Sequence, residues 1–284
     1  MNANSVVGTL IIAILLGGVI SMVAYPIFVE FKPKPVEKKF VKEFSLSEVA
    51  NVRKVNLNFL VKNGGFNLNF TAKPLIYKFK FTSKKPLSPI VNHTKIGDIL
   101  NVYVFVNSSD VDIILGSKYV YSGNFTVFLG GGKITFSRYA NVENFDFTVN
   151  IGGLTVNIFD NPSFNNLNIK ILSGGVMLNV KTPALQKNST VNVEVGNGGI
   201  IVQPVTVSNI VGCKIKGYVG VGGITLEPLY FAVVKKTGTE CEIKTKNYEE
   251  AKTKLDIGLS VGVGGIILNK QFPFKGFSPT FKLT

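Results

Sequence analysis

A chain of 284 residues that is 45% hydrophobic is long enough for one large or two small domains. Its single histidine, His93, cannot assemble a His-based metal site or catalytic triad alone. The net charge of +14 rests almost wholly on lysine, with Arg53 and Arg138 the only arginines; without basic helices or forked arginine contacts, no nucleic-acid partner is expected.

In chain order, Val6 to Val29 is an uncharged, mostly apolar run of 24 residues. At about 1.5 Å per residue it can cross a hydrocarbon layer of about 30 Å as a helix. A cleaved signal peptide is the competing reading, but it wants basic residues before the run and a small-x-small site after it, and Met22-Val23-Ala24 fits poorly. Residues 1–30 are therefore read as a retained transmembrane anchor and 31–50 as a Pro/Lys-rich linker, with Pro26, Pro33 and Pro35 favouring extended chain. Lys32, Lys34, Lys38, Lys39 and Lys42 follow the anchor and are candidates for contact with lipid head groups.

Orientation is contested. Lysines after the anchor and none before it would place the large domain in the cytoplasm, although the rule is weak for long domains. Five Asn-x-Ser/Thr sequons (Asn69, Asn92, Asn107, Asn124, Asn188), an Asn/Thr/Ser-rich surface and a possible disulfide between Cys213 and Cys241 favour the outside. Cys213 also continues an apolar alternation, which suits a small buried hydrophobe equally well. The expected localisation is single-pass membrane with an extracytoplasmic C-terminal domain.

From residue 51 onward one pattern recurs seven times: an alternating apolar run, a glycine pair, and a second run in which the alternation has slipped phase. The copies are VNLNFLVKNGGFNLNF, FTVFLGGGKITF, FDFTVNIGGLTVNI, NIKILSGGVMLNV, VNVEVGNGGIIV, GYVGVGGITL and LSVGVGGIIL. Strict alternation marks a strand with one face buried, and an odd step would throw the second run onto the opposite face. The glycines must absorb that slip, because they tolerate positive φ and carry no side chain. The assigned corners are Gly64-Gly65, Gly131-Gly132, Gly152-Gly153, Gly174-Gly175, Gly198-Gly199, Gly222-Gly223 and Gly264-Gly265. The first apolar residue after each corner falls at Phe66, Ile134, Leu154, Val176, Ile200, Ile224 and Ile266, with central spacings of 20 to 24 residues, a period typical of stacked repeats. The predicted fold is all-β, stacked strand–Gly-Gly–strand repeats in a β-solenoid or two-sheet arrangement. Gly-Gly hairpins are the alternative.

Residues 72–120 read as extra rungs or a hairpin edge. Residues 229–256 are an excursion, either a hairpin or a short helix. Residues 270–284, ending in FPFKGFSPTFKLT, are expected to cap the open end of a β-repeat domain spanning 51–284.

Two stretches, VRKVNLNFLVKNGGFNLNF and ILNVYVFVNSSDVDIILGSKYVYSGNFTVFLGGGKITF with the short repeats after it, resemble the adhesin-type domains of unknown function sometimes called the toastrack fold. The resemblance covers roughly residues 50–270. It departs from the commoner form by using Gly-Gly where a Gly-Asp step is usual. It implies an extracytoplasmic, membrane-tethered β domain associated with adhesion or the envelope, and it supplies no catalytic residues.

No catalytic, cofactor or metal residue is assigned. The cysteines lack CxxC spacing, His93 is placed in a loop, and Asp110 and Asp112 are read as turn entry and surface. GYVGVGG lies between strands and so fails the dinucleotide-loop test. The expected function is a non-enzymatic, membrane-anchored protein of envelope structure or adhesion, with envelope glycans or further copies of itself as partners. The alternatives are a regulatory membrane protein whose β domain senses envelope stress or binds a partner, and a solenoid enzyme acting on polysaccharide. The last needs a ladder of acidic residues that these rungs do not present.

Overall fold

The computed structural model describes residues 39–269. The stretch read as an anchor, the first part of the linker (31–38) with Lys32, Lys34 and Lys38, and the tail 270–284 lie outside the described residues. Among the described residues there are fifteen strands and no helix.

The glycine-punctuated repeats are seven long strands: β2 (Lys54–Thr71), β7 (Val120–Phe136), β8 (Asn141–Phe159), β9 (Ser163–Thr182), β10 (Ser189–Val202), β12 (Val211–Leu226) and β15 (Thr253–Leu268). Each runs unbroken through its glycine pair. Hydrogen bonding is between repeats, all parallel, in the order β2-β7-β8-β9-β10-β15-β12. The two runs of a repeat never pair with each other, so the hairpin alternative falls. The glycines stand in register from strand to strand: Gly64, Gly130, Gly152, Gly174, Gly198, Gly264 and Gly222 form one row. Along that row φ lies between 132° and 144°.

This row is a crease. Val55, Leu57, Phe59 and Val61 before it and Phe66, Leu68 and Phe70 after it are all buried in one core. The phase slip at the glycines thus folds an open sheet into two halves that share an interior. Close approach of neighbouring strands at the crease excludes any side chain: a Cβ placed on Gly152 would lie 1.5 Å from the carbonyl oxygen of Gly130. Inside, Phe59, Phe125 and Phe147 stack from strand to strand with ring centroids 5.0 and 4.6 Å apart. Such pairs contribute about 0.5–1.5 kcal/mol each beyond their area burial.

One corner differs from the sequence assignment. In FLGGGK the crease pair is Gly130-Gly131, and Gly132 pairs with Phe66 in the first core row after the crease. Gly132 is where the Phe66 ring lies: a Cβ there would sit 2.5 Å from it. That ring continues onto Phe147 at 5.6 Å.

Strand order also departs from chain order, since the last repeat, β15, inserts between β10 and β12. The stretch read as an excursion, 229–256, holds the hairpin β13 (Phe231–Lys236) and β14 (Glu240–Thr245), with β14 antiparallel to β12, and its last residues already belong to β15, which begins at Thr253. The hairpin tip covers the free edge of β12: Val219 N–H donates to Thr239 O at 2.8 Å and Ile224 N–H to Gly238 O at 3.0 Å. An uncovered edge would be a template for strand addition.

At the other end β5 (Ile99–Ser108) and β6 (Asp110–Gly116) act together as one rung beside β2, with Ser109-Asp110 in place of the glycine pair. Ser109 N–H donates to Asn63 O, and Asp110 Oδ1 accepts from Gly65 N–H at 2.8 Å. Outside this rung lie β4 (Ile90–Ile96) on β5, and β3 (Tyr77–Ser83) followed by β1 (Phe40–Leu46) on β6. Part of the stretch read as linker is therefore an edge strand, held by Phe44 edge-on to Phe81 at 5.7 Å. Lys39 and Lys42 are exposed there, Lys42 with its Nζ over the Phe44 ring. His93 sits in β4 rather than in a loop, and is exposed. The short β11 (Thr206–Val207) pairs with β9.

Cys213 and Cys241 are both buried and free. Cys241 pairs with Gly217 of β12, four positions from Cys213. That offset is about 13 Å along a strand, beyond disulfide reach. The disulfide is corrected to two core thiols.

Candidate functional surface

Because side chains alternate, the half of the sheet preceding the crease presents outward rows that run across the strands. The central row runs Asn58, Asn124, Asp146, Asn168, Asn192, Gly258 and Lys216 across β2, β7, β8, β9, β10, β15 and β12. Its amides bond to one another along the row. Asn124 Nδ2 donates to Asn58 Oδ1 at 3.4 Å, Asn168 Nδ2 to Asp146 Oδ1 at 2.8 Å, and Asn192 Nδ2 to Asn168 Oδ1 at 2.9 Å. In the flanking row Asn166 Nδ2 donates to Asn144 Oδ1 at 2.7 Å. An amide has two N–H donors and a two-lone-pair oxygen, so each rung keeps hydrogen-bonding capacity toward solvent.

The face is locally neutral despite the basic chain. Lys170 pairs with Glu194 at 3.3 Å, Lys214 with Asp256 at 3.4 Å, and Lys216 with Glu242 at 3.3 Å. Tyr248 Oη donates to Asp256 Oδ1 at 2.6 Å, and Lys214 Nζ lies 4.6 Å from the Tyr248 ring centre. Hydrogen bonding to Tyr248 leads the effects that raise the Lys214 pKa.

Two shallow troughs open on this face. One, of about 680 Å³, is floored around Asn168, Asn192 and Gly258, with Ser260, Lys216 and Tyr218 beside them. The other, of about 450 Å³, lies at the opposite end among Asn58, Asn124, Thr126, Asn92, Tyr103 and Phe105. Tyr103 is 49% exposed and Tyr218 52%.

The glycine corners shape the crease and carry no chemistry. Cys213 and Cys241 lie in the core, where burial pushes both thiols upward. Lys39 and Lys42 are on the β1 edge, away from the troughs. Asp110 and Asp112 accept from Gly65 N–H and Asn67 Nδ2. Among the described residues no three His, Cys, Asp or Glu side chains converge as a metal site. The Asn/Thr/Lys character of the surface was readable from the rungs. The troughs were not, because Asn192 and Gly258 become neighbours only through the unexpected strand order.

No family model and no curated protein matches the chain. Among solved structures, a candidate cell adhesion protein of Clostridium sporogenes is similar at TM-score 0.51 and 19% identity, covering 82% of this chain and 99% of its own. That likeness establishes a shared fold, all-β and open-sheeted. A candidate adhesin of Bacteroides fragilis, at TM-score 0.24 and 10% identity over 83% of this chain and 99% of its own, is too distant to bear on the fold.

Proposed function

We propose that this chain is a non-enzymatic, membrane-anchored protein whose β domain stands outside the cell and serves in envelope structure or adhesion. The observation that carries the reading is the pre-crease face: a broad, ordered, locally neutral surface of amides and hydroxyls, on a sheet whose β12 edge is covered by its own hairpin. Surfaces of this kind recognise by contact; they hold no converging acid, base or nucleophile. The apolar run Val6 to Val29 supports tethering, and residues 31–38 would set the distance to the membrane. Protease treatment of intact and lysed cells, with peptide mapping, tests this. Loss of residues 51–269 from intact cells is expected. Cleavage only after lysis would place the domain inside and overturn the adhesion reading.

A second reading, a regulatory membrane protein whose β domain holds a partner, is favoured by a strip beside the crease. Phe128, Leu129, Ile151 and Leu172 lie on adjacent strands, each about half exposed. It requires a specific membrane protein that co-purifies with the chain and is lost from a Leu129→Ser/Ile151→Ser variant.

A further inference from the structure

We infer that the pre-crease face binds a linear, uncharged polysaccharide that lies across the strands, with Tyr103 and Tyr218 as stacking platforms at its ends. The inference rests on the reading of this domain as a contact protein and names its ligand class.

Three observations converge. The first is spacing. The amide row places one hydrogen-bonding side chain on each successive strand except β15, about 4.8 Å apart, close to the advance of one pyranose unit in an extended chain. From β2 to β12 the row spans about 29 Å, room for several sugar units. The amides are already oriented by one another, so little freedom is lost when they bond a ligand.

The second is the interruption at Gly258. Every other position of the row carries a side chain, and the absence of one between Asn192 and Lys216 leaves a notch in the trough floor. Ser260 lies two positions along the same strand, and Tyr218 pairs with Ser260 from β12. A bare floor, a hydroxyl and an exposed aromatic flank suit a sugar ring, whose C–H face stacks on the aromatic while its hydroxyls reach Asn168 and Asn192. The far trough repeats the arrangement, with Tyr103 beside Asn58 and Asn124.

The third is charge. The lysines of these rows are matched by carboxylates, at 3.3 to 3.4 Å. A polyanion would find few unpaired cations here, while a neutral hydroxylated polymer meets donors and acceptors in balance.

The test is affinity electrophoresis of the full chain in mild detergent through gels bearing neutral or anionic polysaccharides, followed by titration with cellohexaose and chitohexaose. Retention by a neutral polysaccharide is expected, unchanged between low and high salt, since screening does not touch uncharged contacts. Tyr218→Ala and Asn168→Ala/Asn192→Ala should each weaken binding about tenfold. Gly258→Leu, which fills the notch from an outward strand position, should weaken it further while leaving the thermal midpoint unchanged. The inference is overturned by no retention on any neutral polysaccharide, by retention that salt abolishes, or by binding indifferent to Tyr218→Ala and Gly258→Leu. Sedimentation showing an oligomer that Tyr218→Ala dissolves would also overturn it, assigning the face to a second copy. Protease mapping on cells reads separately: an exposed domain without sugar binding sinks only the ligand, and a cytoplasmic domain sinks the adhesion reading whatever it binds.

Discussion

The crease makes a sharp demand on stability, and Gly152→Ala is the substitution that tests it. At φ +144° Gly152 occupies backbone space that L side chains rarely enter, and an added Cβ would stand 1.5 Å from the Gly130 carbonyl oxygen. The conformational part costs about 1–3 kcal/mol. Relieving the overlap means displacing a backbone carbonyl inside a parallel ladder, with two or three hydrogen bonds disturbed at about 0.5–1.5 kcal/mol each. Together the change should destabilise by about 3–5 kcal/mol, against a total of about 5–15 for a typical native protein. Two companion substitutions separate the causes. Gly97→Ala, at φ 63° with nothing within 4 Å, gives the cost of a left-handed backbone without any overlap, about 1 kcal/mol. Gly175→Ala, the second glycine of its pair, has no positive φ and meets only Gly199 O at 3.1 Å, so it should cost about 1 kcal/mol or less. Urea and thermal unfolding followed by far-ultraviolet circular dichroism would measure all three. At about 2–4 °C per kcal/mol for a domain of this size, Gly152→Ala should lower the midpoint by about 10 °C. A Gly152→Ala midpoint no lower than that of Gly97→Ala would refute the carbonyl-overlap argument.

Three further outcomes are expected. Tyr121 is fully buried, its Oη donating to Ile76 O at 2.7 Å and accepting from Gly116 N–H at 3.1 Å, so Tyr121→Phe should cost about 1–3 kcal/mol in urea unfolding by leaving both backbone groups unpaired. Burial raises the Tyr121 pKa above the ordinary tyrosine value of about 10; the folded state then holds a proton the unfolded chain releases, and stability present below pH 10 should fall as pH rises beyond it, more steeply in the wild type than in Tyr121→Phe. Cys213 and Cys241, with thiols pushed up by burial, should resist alkylation in the native chain and both react once it is unfolded, with an intact mass showing no disulfide; native labelling of Cys213 would contradict its place in the core.

Much of this fold was readable because alternation and its interruption are local properties. Val55 to Val61 and Phe66 to Phe70 announce two buried sets of opposite parity, and the glycines between them reconcile the two. What failed to be legible depended on which strands become neighbours. In FLGGGK three glycines offer two corner positions. An apolar side chain after the corner pointed to Ile134, but the space beside Gly132 is filled from another strand by the Phe66 ring. The place of the last repeat followed the same logic. β12 carries Gly217 in a core row where its neighbours have Phe, Ile, Val or Leu, and the Cys241 side chain of β14 fills that gap, with Sγ 2.8 Å from where a Cβ would stand. β12 must therefore face β14 at the end of the array, which leaves β15 to fit between β10 and β12. That placement in turn sets Gly258 between Asn192 and Lys216. A small residue in one core row thus determines the outer surface several positions away, and the trough inherits its shape from a packing defect that β14 exists to fill.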